Sequence, residues 1–153
     1  MASKGGSQGR VLLEPRLIAE GGGPVLSIDV ANRSTEAITI VALPRYLTVE
    51  LEGVNRQFVR GAPQAGATLG LPSPTDYRLV AANSVERGVF LLPVTPSEPG
   101  YLIGAVQFPA VEKKTTLRVS YKADAIIPNV PKASQKTLFR GPAESGKTPI
   151  ELP

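Results

Sequence analysis

Proline and glycine interrupt this sequence so often that a long helix has no room to form. Fifteen prolines and fifteen glycines are spread through 153 residues without a repeating period. Proline removes a backbone donor and clashes with the preceding helical turn, and glycine in a helix costs about 1 kcal/mol relative to alanine. We therefore predict short strands joined by turns, in one domain that is large enough for a single hydrophobic core.

Between these breaks, apolar and polar residues alternate with the two-residue period of a β-strand. In one run, Leu26, Ile28 and Val30 fall on the same face. One early run contains Pro15, which favours an edge strand or a strand that switches sheets, because proline cannot donate to a neighbouring strand. The alternation predicts seven strands, over 10–18, 25–32, 36–42, 46–52, 85–94, 101–108 and 115–122. A further short strand is expected over 76–80, and 57–60 is a short extended piece.

Two of these predictions concern how the strands pair. Turn-forming residues separate 25–32 from 36–42, so we expect these two strands to form a hairpin. The run 101–108 follows a Pro-Gly turn and is apolar on both faces, which is typical of a strand in the middle of a sheet.

Seven or eight short strands at this spacing predict an all-β fold, a two-sheet antiparallel β-sandwich of the immunoglobulin-like kind. We expect a polar, glycine-rich and flexible N-terminal arm over 1–9, the sandwich over 10–127, and an extended proline-rich tail over 128–153. The predicted core of the sandwich contains Leu26, Ile28, Val49, Val89, Ile103 and Val119.

Three short stretches resemble the bacterial immunoglobulin-like or fibronectin-like accessory domains. They are the strand end Val-Ala-Asn-Arg-Ser at 30–34, the approach Asn-Ser-Val at 83–85, and Pro-Gly-Tyr at 99–101. The resemblance covers roughly residues 10–124 and implies that Tyr101 packs or bonds at a corner between two sheets. The cysteine pair and core tryptophan of antibody domains are absent, so an antibody-type domain is not expected.

The composition excludes many kinds of catalysis. The chain has no histidine and no cysteine, so it cannot form a His- or Cys-ligated zinc site, a Ser-His-Asp triad or a cysteine nucleophile. Glu50 and Glu52 share the outer face of one predicted strand, but no third ligand or cleft accompanies them. With no tryptophan for sugar stacking, a carbohydrate-active enzyme is an unfavoured alternative. We expect no enzyme activity, no metal and no cofactor.

One string matches a nucleotide-binding motif. Gly-Pro-Ala-Glu-Ser-Gly-Lys-Thr at 141–148 fits the phosphate-loop pattern in every fixed position. That loop binds phosphate only when a helix follows it, because the amide groups of the first helical turn contact the anion. Pro149 follows directly, so we interpret the match as accidental and a nucleotide-binding protein as an unfavoured alternative.

The net charge and the N-terminal sequence give little information about the partner or the cellular compartment. The net charge of +4 is spread diffusely, without the basic stripe and aromatic platforms of a nucleic-acid reader, so no specific nucleic acid is expected as a partner. The start is polar, and no run reaches the ~20 apolar residues of a membrane span. We expect a cytoplasmic protein by default, with a periplasmic or virion location left open.

Two surface segments are the candidates for contact with a partner. The loop 61–75, interrupted by three prolines and three glycines, is the longest predicted internal loop. We expect the loop to be lined by Arg45, Arg56, Arg60 and Gln64. The second candidate is a basic tail segment that can add to a sheet edge, with Lys136, Phe139 and Arg140 as its contact residues.

The sequence therefore predicts a non-enzymatic protein-binding domain. It would act as an assembly, adaptor or structural module through its sheet edges, the loop 61–75 and its terminal arms. The partner is another protein or a second copy of the chain, which would form a homo-oligomer by exchange of an arm or an edge strand. A proteinase inhibitor that uses the loop 61–75 is the alternative.

Overall fold

The computed structural model describes residues 10–21, 23–63, 72–127 and 130–153. The predicted N-terminal arm, residues 64–71 of the predicted loop 61–75 (Gln64 among them) and the first two residues of the predicted tail lie outside these ranges. None of the described helices is long and apolar enough to cross a membrane. They are three single turns of 3-10 helix, at Pro44–Tyr46, Pro74–Asp76 and Lys132–Ser134.

Strands make up most of the described chain. In chain order they are β1 (Val11–Glu20), β2 (Gly23–Asn32), β3 (Ile38–Val41), β4 (Leu47–Glu52), β5 (Phe58–Arg60), β6 (Ala62–Pro63), β7 (Tyr77–Val80), β8 (Ser84–Ser97), β9 (Gly100–Ile103), β10 (Val106–Phe108), β11 (Lys114–Tyr121), β12 (Ala143–Glu144) and β13 (Thr148–Glu151).

One mixed sheet contains eleven of these strands. Its order is β5-β4-β11-β12-β1-β2-β8-β9-β10-β6, with β13 also paired to β11, and only β3 and β7 form a separate pair among the described strands. β1 and β12 run parallel where Leu12 lies opposite Glu144, and the other pairs are antiparallel. The chain is all-β, but the prediction of a two-sheet antiparallel sandwich with seven or eight strands is wrong.

The long strand β8 explains why one sheet replaces two. Its first part pairs with β2, and its last part pairs with β9. The change of partner occurs between Pro93, which lies opposite Val25, and Val94, which lies opposite Ile103. Because β8 continues through this point, it joins the β2–β8 ladder to the β8–β9 ladder in one sheet. In a sandwich these two ladders would belong to separate sheets. Local alternation along the sequence does not reveal this junction.

The large sheet curls until its two end strands become neighbours in sequence. β5 ends at Arg60 and β6 begins at Ala62, so Gly61 alone carries the chain from one end of the sheet to the other. A Cβ at Gly61 would lie 2.8 Å from the carbonyl oxygen of Gln107, and closer still to the side chain of Val106. Only glycine lets the backbone pass this close to β10.

The predicted hairpin of 25–32 with 36–42 is wrong. β3 pairs with β7, whereas β2 pairs with β1 and β8. The fully buried Asn32 draws the chain away from β2, because its Nδ2 donates to the carbonyl oxygens of Glu36 at 2.8 Å and Val80 at 3.1 Å. Its Oδ1 accepts hydrogen bonds from both the backbone and the hydroxyl of Ser34. These bonds fasten the turn after β2 to the end of β7.

The prediction of one continuous strand over 101–108 is also wrong, although each of the two strands that it forms has a neighbour on both sides. This run forms the hairpin β9–β10 close to one end of the sheet. It folds back at Gly104, whose φ of +61° is a conformation that other residues rarely adopt. The edge position predicted from Pro15 holds for only part of β1. β2 is the only described strand paired with β1 at Pro15, but β12 pairs with β1 at Leu12, so β1 lies inside the strand order.

The core lies inside the curled sheet, and most of its predicted members are buried. Five of the six are at most 6% exposed, and Val49 is only half-buried. At the centre, the fully buried Tyr121 ring stacks on Phe139 with centroids 6.2 Å apart and meets Phe90 at 6.1 Å. The Tyr121 hydroxyl accepts a hydrogen bond from the Val41 amide at 3.1 Å and donates one to the Phe139 carbonyl at 3.3 Å. Burial is the main reason that the pKa of Tyr121 rises to about 12.

Residues 130–153 contribute to this sheet and core. β12 lies between β1 and β11, β13 pairs with β11, and both Phe139 and Leu152 are buried. The Tyr101 hydroxyl donates to the carbonyl oxygen of Pro153 at 2.8 Å. In the phosphate-loop string, Thr148 begins a strand and not a helix. The string therefore lacks the helical amide groups that would bind a phosphate.

Candidate functional site

The two ends of the curled sheet approach each other along a line that we call the seam, between β4 on one side and β6, β9 and β10 on the other. A pocket of about 460 Å³ opens at the seam, within the range of about 300–1,000 Å³ that is typical of ligand sites. Its lining is mostly apolar and consists of Leu43, Pro44, Arg45, Leu47, Thr48, Val49, Arg60, Gly61, Pro63, Leu92, Ile103, Gly104, Ala105 and Val106.

This seam pocket arises because the two ends of the sheet do not pair where it opens. β5 pairs with β4 only at Glu50–Glu52, and after Arg60 the chain leaves β4 to join β10. The side of β4 at 47–49 therefore has no neighbouring strand in the described chain. Across the seam, the small residues Gly104 and Ala105 form the turn of the β9–β10 hairpin and do not fill the space. Val49, predicted to be core, is half-buried because it lines this pocket.

Main-chain groups of β4 also face the seam. The amide of Lys122 donates to the carbonyl oxygen of Tyr46 at 2.9 Å, so Tyr46 directs its main-chain oxygen toward β11. Because successive residues of a strand direct their main-chain groups to opposite sides, the carbonyl of Leu47 and the amide of Val49 point away from β11, into the seam. Neither group has a hydrogen-bonding partner within the described part of the chain.

Two arginines stand at the mouth of the pocket. The guanidinium carbon of Arg45 lies 5.2 Å from the centroid of the Tyr46 ring, and this arginine makes no ion pair with any described carboxylate. The side chain of Arg60 is 73% exposed, with its Nε 3.5 Å from an oxygen of Glu50. The mouth of a mostly apolar pocket thus carries two positive charges. The charge of Arg60 is partly neutralised by Glu50, and that of Arg45 is not neutralised by any described carboxylate.

Glu50 is committed to its arginine partners. Its Oε1 accepts a hydrogen bond from the Nε of Arg118 at 2.8 Å, and its Oε2 faces Arg60. The hydrogen bond from Arg118 is the main reason that the pKa of this carboxyl lies below its ordinary value; partial burial opposes the shift, and Arg60 adds to it. The carboxylate therefore stays ionised and holds two arginines in place, which is the opposite of what a general acid requires.

The remaining predicted contact residues do not gather at the seam. Arg56 lies in the turn after β4, and Lys136 is exposed on the C-terminal segment. Phe139 is 8% exposed and belongs to the core. Arg140 donates to the carbonyl oxygen of Asp124. Of the seven residues, only Arg45 and Arg60 are brought together, and Gln64 cannot be placed.

The segment Lys136–Arg140 adds to an edge of its own domain. Leu138 forms a parallel bridge with Thr39 of β3. The Thr39 amide donates to the carbonyl oxygen of Thr137 at 2.7 Å, and the Phe139 amide donates to the carbonyl oxygen of Thr39 at 2.9 Å. The side of β3 opposite β7 is therefore occupied, and the segment is not an open edge for another chain.

A second pocket, of about 520 Å³, lies between β11, β13 and the turn after β4, and Arg56 contributes to its lining. Glu52, Glu112 and Glu151 face it together with Lys114, so charges of both signs mix on an open surface. Within the described ranges, no three acidic residues are close enough to hold a metal ion. We regard the seam pocket as the stronger candidate, because its lining is mostly apolar.

The seam pocket was missed at the level of sequence because it depends on which strands are left unpaired. Its residues come from four separate parts of the chain, and only the small pair Gly104-Ala105 within an apolar run hinted at a turn there. No protein-family description matches this chain, and a search of curated proteins finds none that is significantly similar. The site must therefore be interpreted from its own geometry.

Proposed function

We propose that this chain is a non-enzymatic protein-binding module that acts in assembly or as an adaptor, and that its partner docks at the seam pocket. The observation that carries the proposal is a mostly apolar pocket beside two arginines and beside main-chain groups that have no partner among the described residues. Apolar surface exposed in a concave site gains free energy when a partner covers it, by about 25 cal/mol for each Å² buried.

The chemistry of the site favours binding over catalysis. The pocket lining contains no carboxylate, no histidine and no cysteine, and the nearby Glu50 is held by Arg118 and Arg60. The only ionisable groups of the lining are the two arginines, which orient and attract an anionic partner but do not transfer protons at neutral pH.

A plug at the mouth of the pocket tests the proposal. Ala105 is exposed and lies in the β9–β10 turn, so Ala105→Trp fills the mouth while leaving the core intact. Ala125→Trp places the same ring on an exposed position outside the pocket and serves as the control. We expect a protein from the native source to be captured by the wild type and by Ala125→Trp, and to be lost with Ala105→Trp, as measured by quantitative mass spectrometry.

The same pair of variants shows whether the partner is a second copy of the chain. Light scattering of a self-associating wild type should give a mass above the 16.1 kDa of one chain, and Ala105→Trp should restore that monomeric mass. If no captured protein and no oligomer depends on an open pocket, the proposal fails.

A further inference from the structure

We infer that the seam accepts an extended segment of a partner protein as an added β-strand, with an apolar side chain in the pocket and a neighbouring carboxylate on Arg45. This inference deepens the proposed function, on which it rests, by specifying the mode of binding and the chemistry of the partner. It follows from three features of the seam that lie beside one another.

The first feature is a pair of main-chain groups that lack a partner in the part of the chain that the structure describes. The carbonyl of Leu47 accepts and the amide of Val49 donates, one on each side of Thr48, and both face the seam. An incoming strand satisfies such a pair with two main-chain hydrogen bonds, and these give affinity without depending on sequence. Addition of a strand here would extend the pairing of β4 beyond Glu50, where β5 ends.

The second feature is the position of the pocket relative to these groups. Leu47 and Val49 line the pocket themselves, so a strand paired with β4 at Thr48 lies at its mouth. Side chains of a strand alternate between its two faces, so every second residue of the segment can point toward Leu92 and Ile103, the two buried residues of the lining. An apolar side chain at that position removes water from the pocket.

The third feature is the charge at the mouth. Arg45 has no carboxylate partner in the described chain, and Arg60 shares Glu50 with Arg118. Bidentate hydrogen bonds from a guanidinium to a carboxylate are among the strongest that side chains make. A partner with an aspartate or glutamate close to its apolar anchor would neutralise Arg45, whereas a basic flank would be repelled.

Selection of peptides on the intact chain tests the inference directly. Random peptides displayed on phage are selected on the wild type and counter-selected on Ala105→Trp. We expect the enriched sequences to share an apolar residue with an aspartate or glutamate within two positions. Binding of a synthetic consensus peptide should weaken by about tenfold with Arg45→Glu. Arg33→Glu, which changes an exposed arginine away from the pocket, should leave it unchanged.

Methylation of the peptide backbone separates strand addition from simple insertion of a side chain. One N-methyl group is placed at each position of the consensus peptide in turn. If a strand is added, methylation at the residue that donates to Leu47 should weaken binding by about tenfold, because it removes a main-chain hydrogen bond and blocks the approach of the strand. Methylation of the two flanking residues should have little effect.

The outcomes distinguish this inference from the proposed function. Peptides that need the open pocket but tolerate methylation at every position would overturn strand addition and leave the protein-binding proposal standing. Enriched peptides without acidic residues, or binding insensitive to Arg45→Glu, would overturn the assignment of the partner's charge. If no peptide depends on the pocket, the inference fails, and capture from the native source still decides the proposed function separately.

Discussion

Removal of one hydroxyl group from the centre of the core is the most informative test of the fold. Tyr121→Phe keeps the ring that stacks on Phe139 and deletes only the oxygen, which bonds the Val41 amide at 3.1 Å and the Phe139 carbonyl at 3.3 Å. These bonds link β3, β11 and the C-terminal segment. The variant therefore measures how far residues 130–153 are integrated into the fold.

The expected magnitude follows from the burial of the groups left behind. Tyr121 is 0% exposed, so water does not replace the lost bonds. An unpaired buried donor such as the Val41 amide costs about 1–3 kcal/mol, and the Phe139 carbonyl adds to this. We expect the free energy of unfolding to fall by about 2–4 kcal/mol. In a domain of this size the melting temperature should fall by roughly 5–10 °C.

The assay is urea unfolding followed by far-ultraviolet circular dichroism, with Tyr101→Phe as the control. Tyr101 donates a hydrogen bond to Pro153 from a partly exposed position, so its hydroxyl should contribute much less. A loss below about 0.5 kcal/mol for Tyr121→Phe, or losses of equal size in both variants, would refute the reasoning.

The pH dependence of stability gives an independent check on the same group. The pKa of Tyr121 is 10.0 without the fold and about 12 within it, because burial favours the neutral hydroxyl. The contribution of the Tyr121 hydroxyl to the free energy of unfolding is therefore complete below pH 10 and is lost as the pH rises from 10 toward 12. Two pKa units correspond to about 3 kcal/mol at most. Between pH 10 and pH 12, the free energy of unfolding should therefore fall less steeply with pH in Tyr121→Phe than in the wild type.

Three further substitutions test other parts of the account. Asn32→Asp replaces a buried amide donor with an acceptor and should cost at least about 3 kcal/mol of stability; a loss under 1 kcal/mol in urea unfolding would contradict the role of this side chain. Gly61→Ala should cost about 1–3 kcal/mol because its Cβ meets the Gln107 carbonyl, while Gly21→Ala, with nothing within 4 Å of its Cβ, should be nearly neutral. Glu50→Gln should cost about 1 kcal/mol at neutral pH. Because the folded pKa of Glu50 lies below 4.5, that difference should disappear as the pH falls well below 4.5, and a difference that persists there would contradict it.

Local patterns predicted the strands well because alternation depends only on neighbouring residues. The runs around Ile28, Val89 and Val119 are buried strands, as their two-residue period indicates. Pro15 predicted a strand with one free side, and β2 is the only described strand paired with β1 at that residue, although β12 joins β1 at Leu12. The all-β class follows from the same signals together with the frequent breaks.

Pairing was predicted poorly because it depends on contacts between distant residues. Nothing near Asn32 in sequence shows that its amide bonds Val80, which diverts the chain from the expected hairpin. The two-residue strand at 143–144 is too short for a period, although it lies between β1 and β11. Of the candidate site, only Arg45 and Arg60 were predicted. The seam lies where β4 and β5 stop pairing, and no single stretch of sequence shows where that pairing ends.

Amide hydrogen exchange at Val49 in the free protein, followed by nuclear magnetic resonance, tests the central claim most directly. The amide of Val49 faces the seam and has no partner among the residues that the structure describes, whereas the adjacent amide of Thr48 lies on the side that pairs with β11. We expect Val49 to exchange much faster than Thr48 in the free chain, and to become protected when the consensus peptide binds. Equal protection of the two amides in the free chain would show that the seam is already closed and would contradict the account.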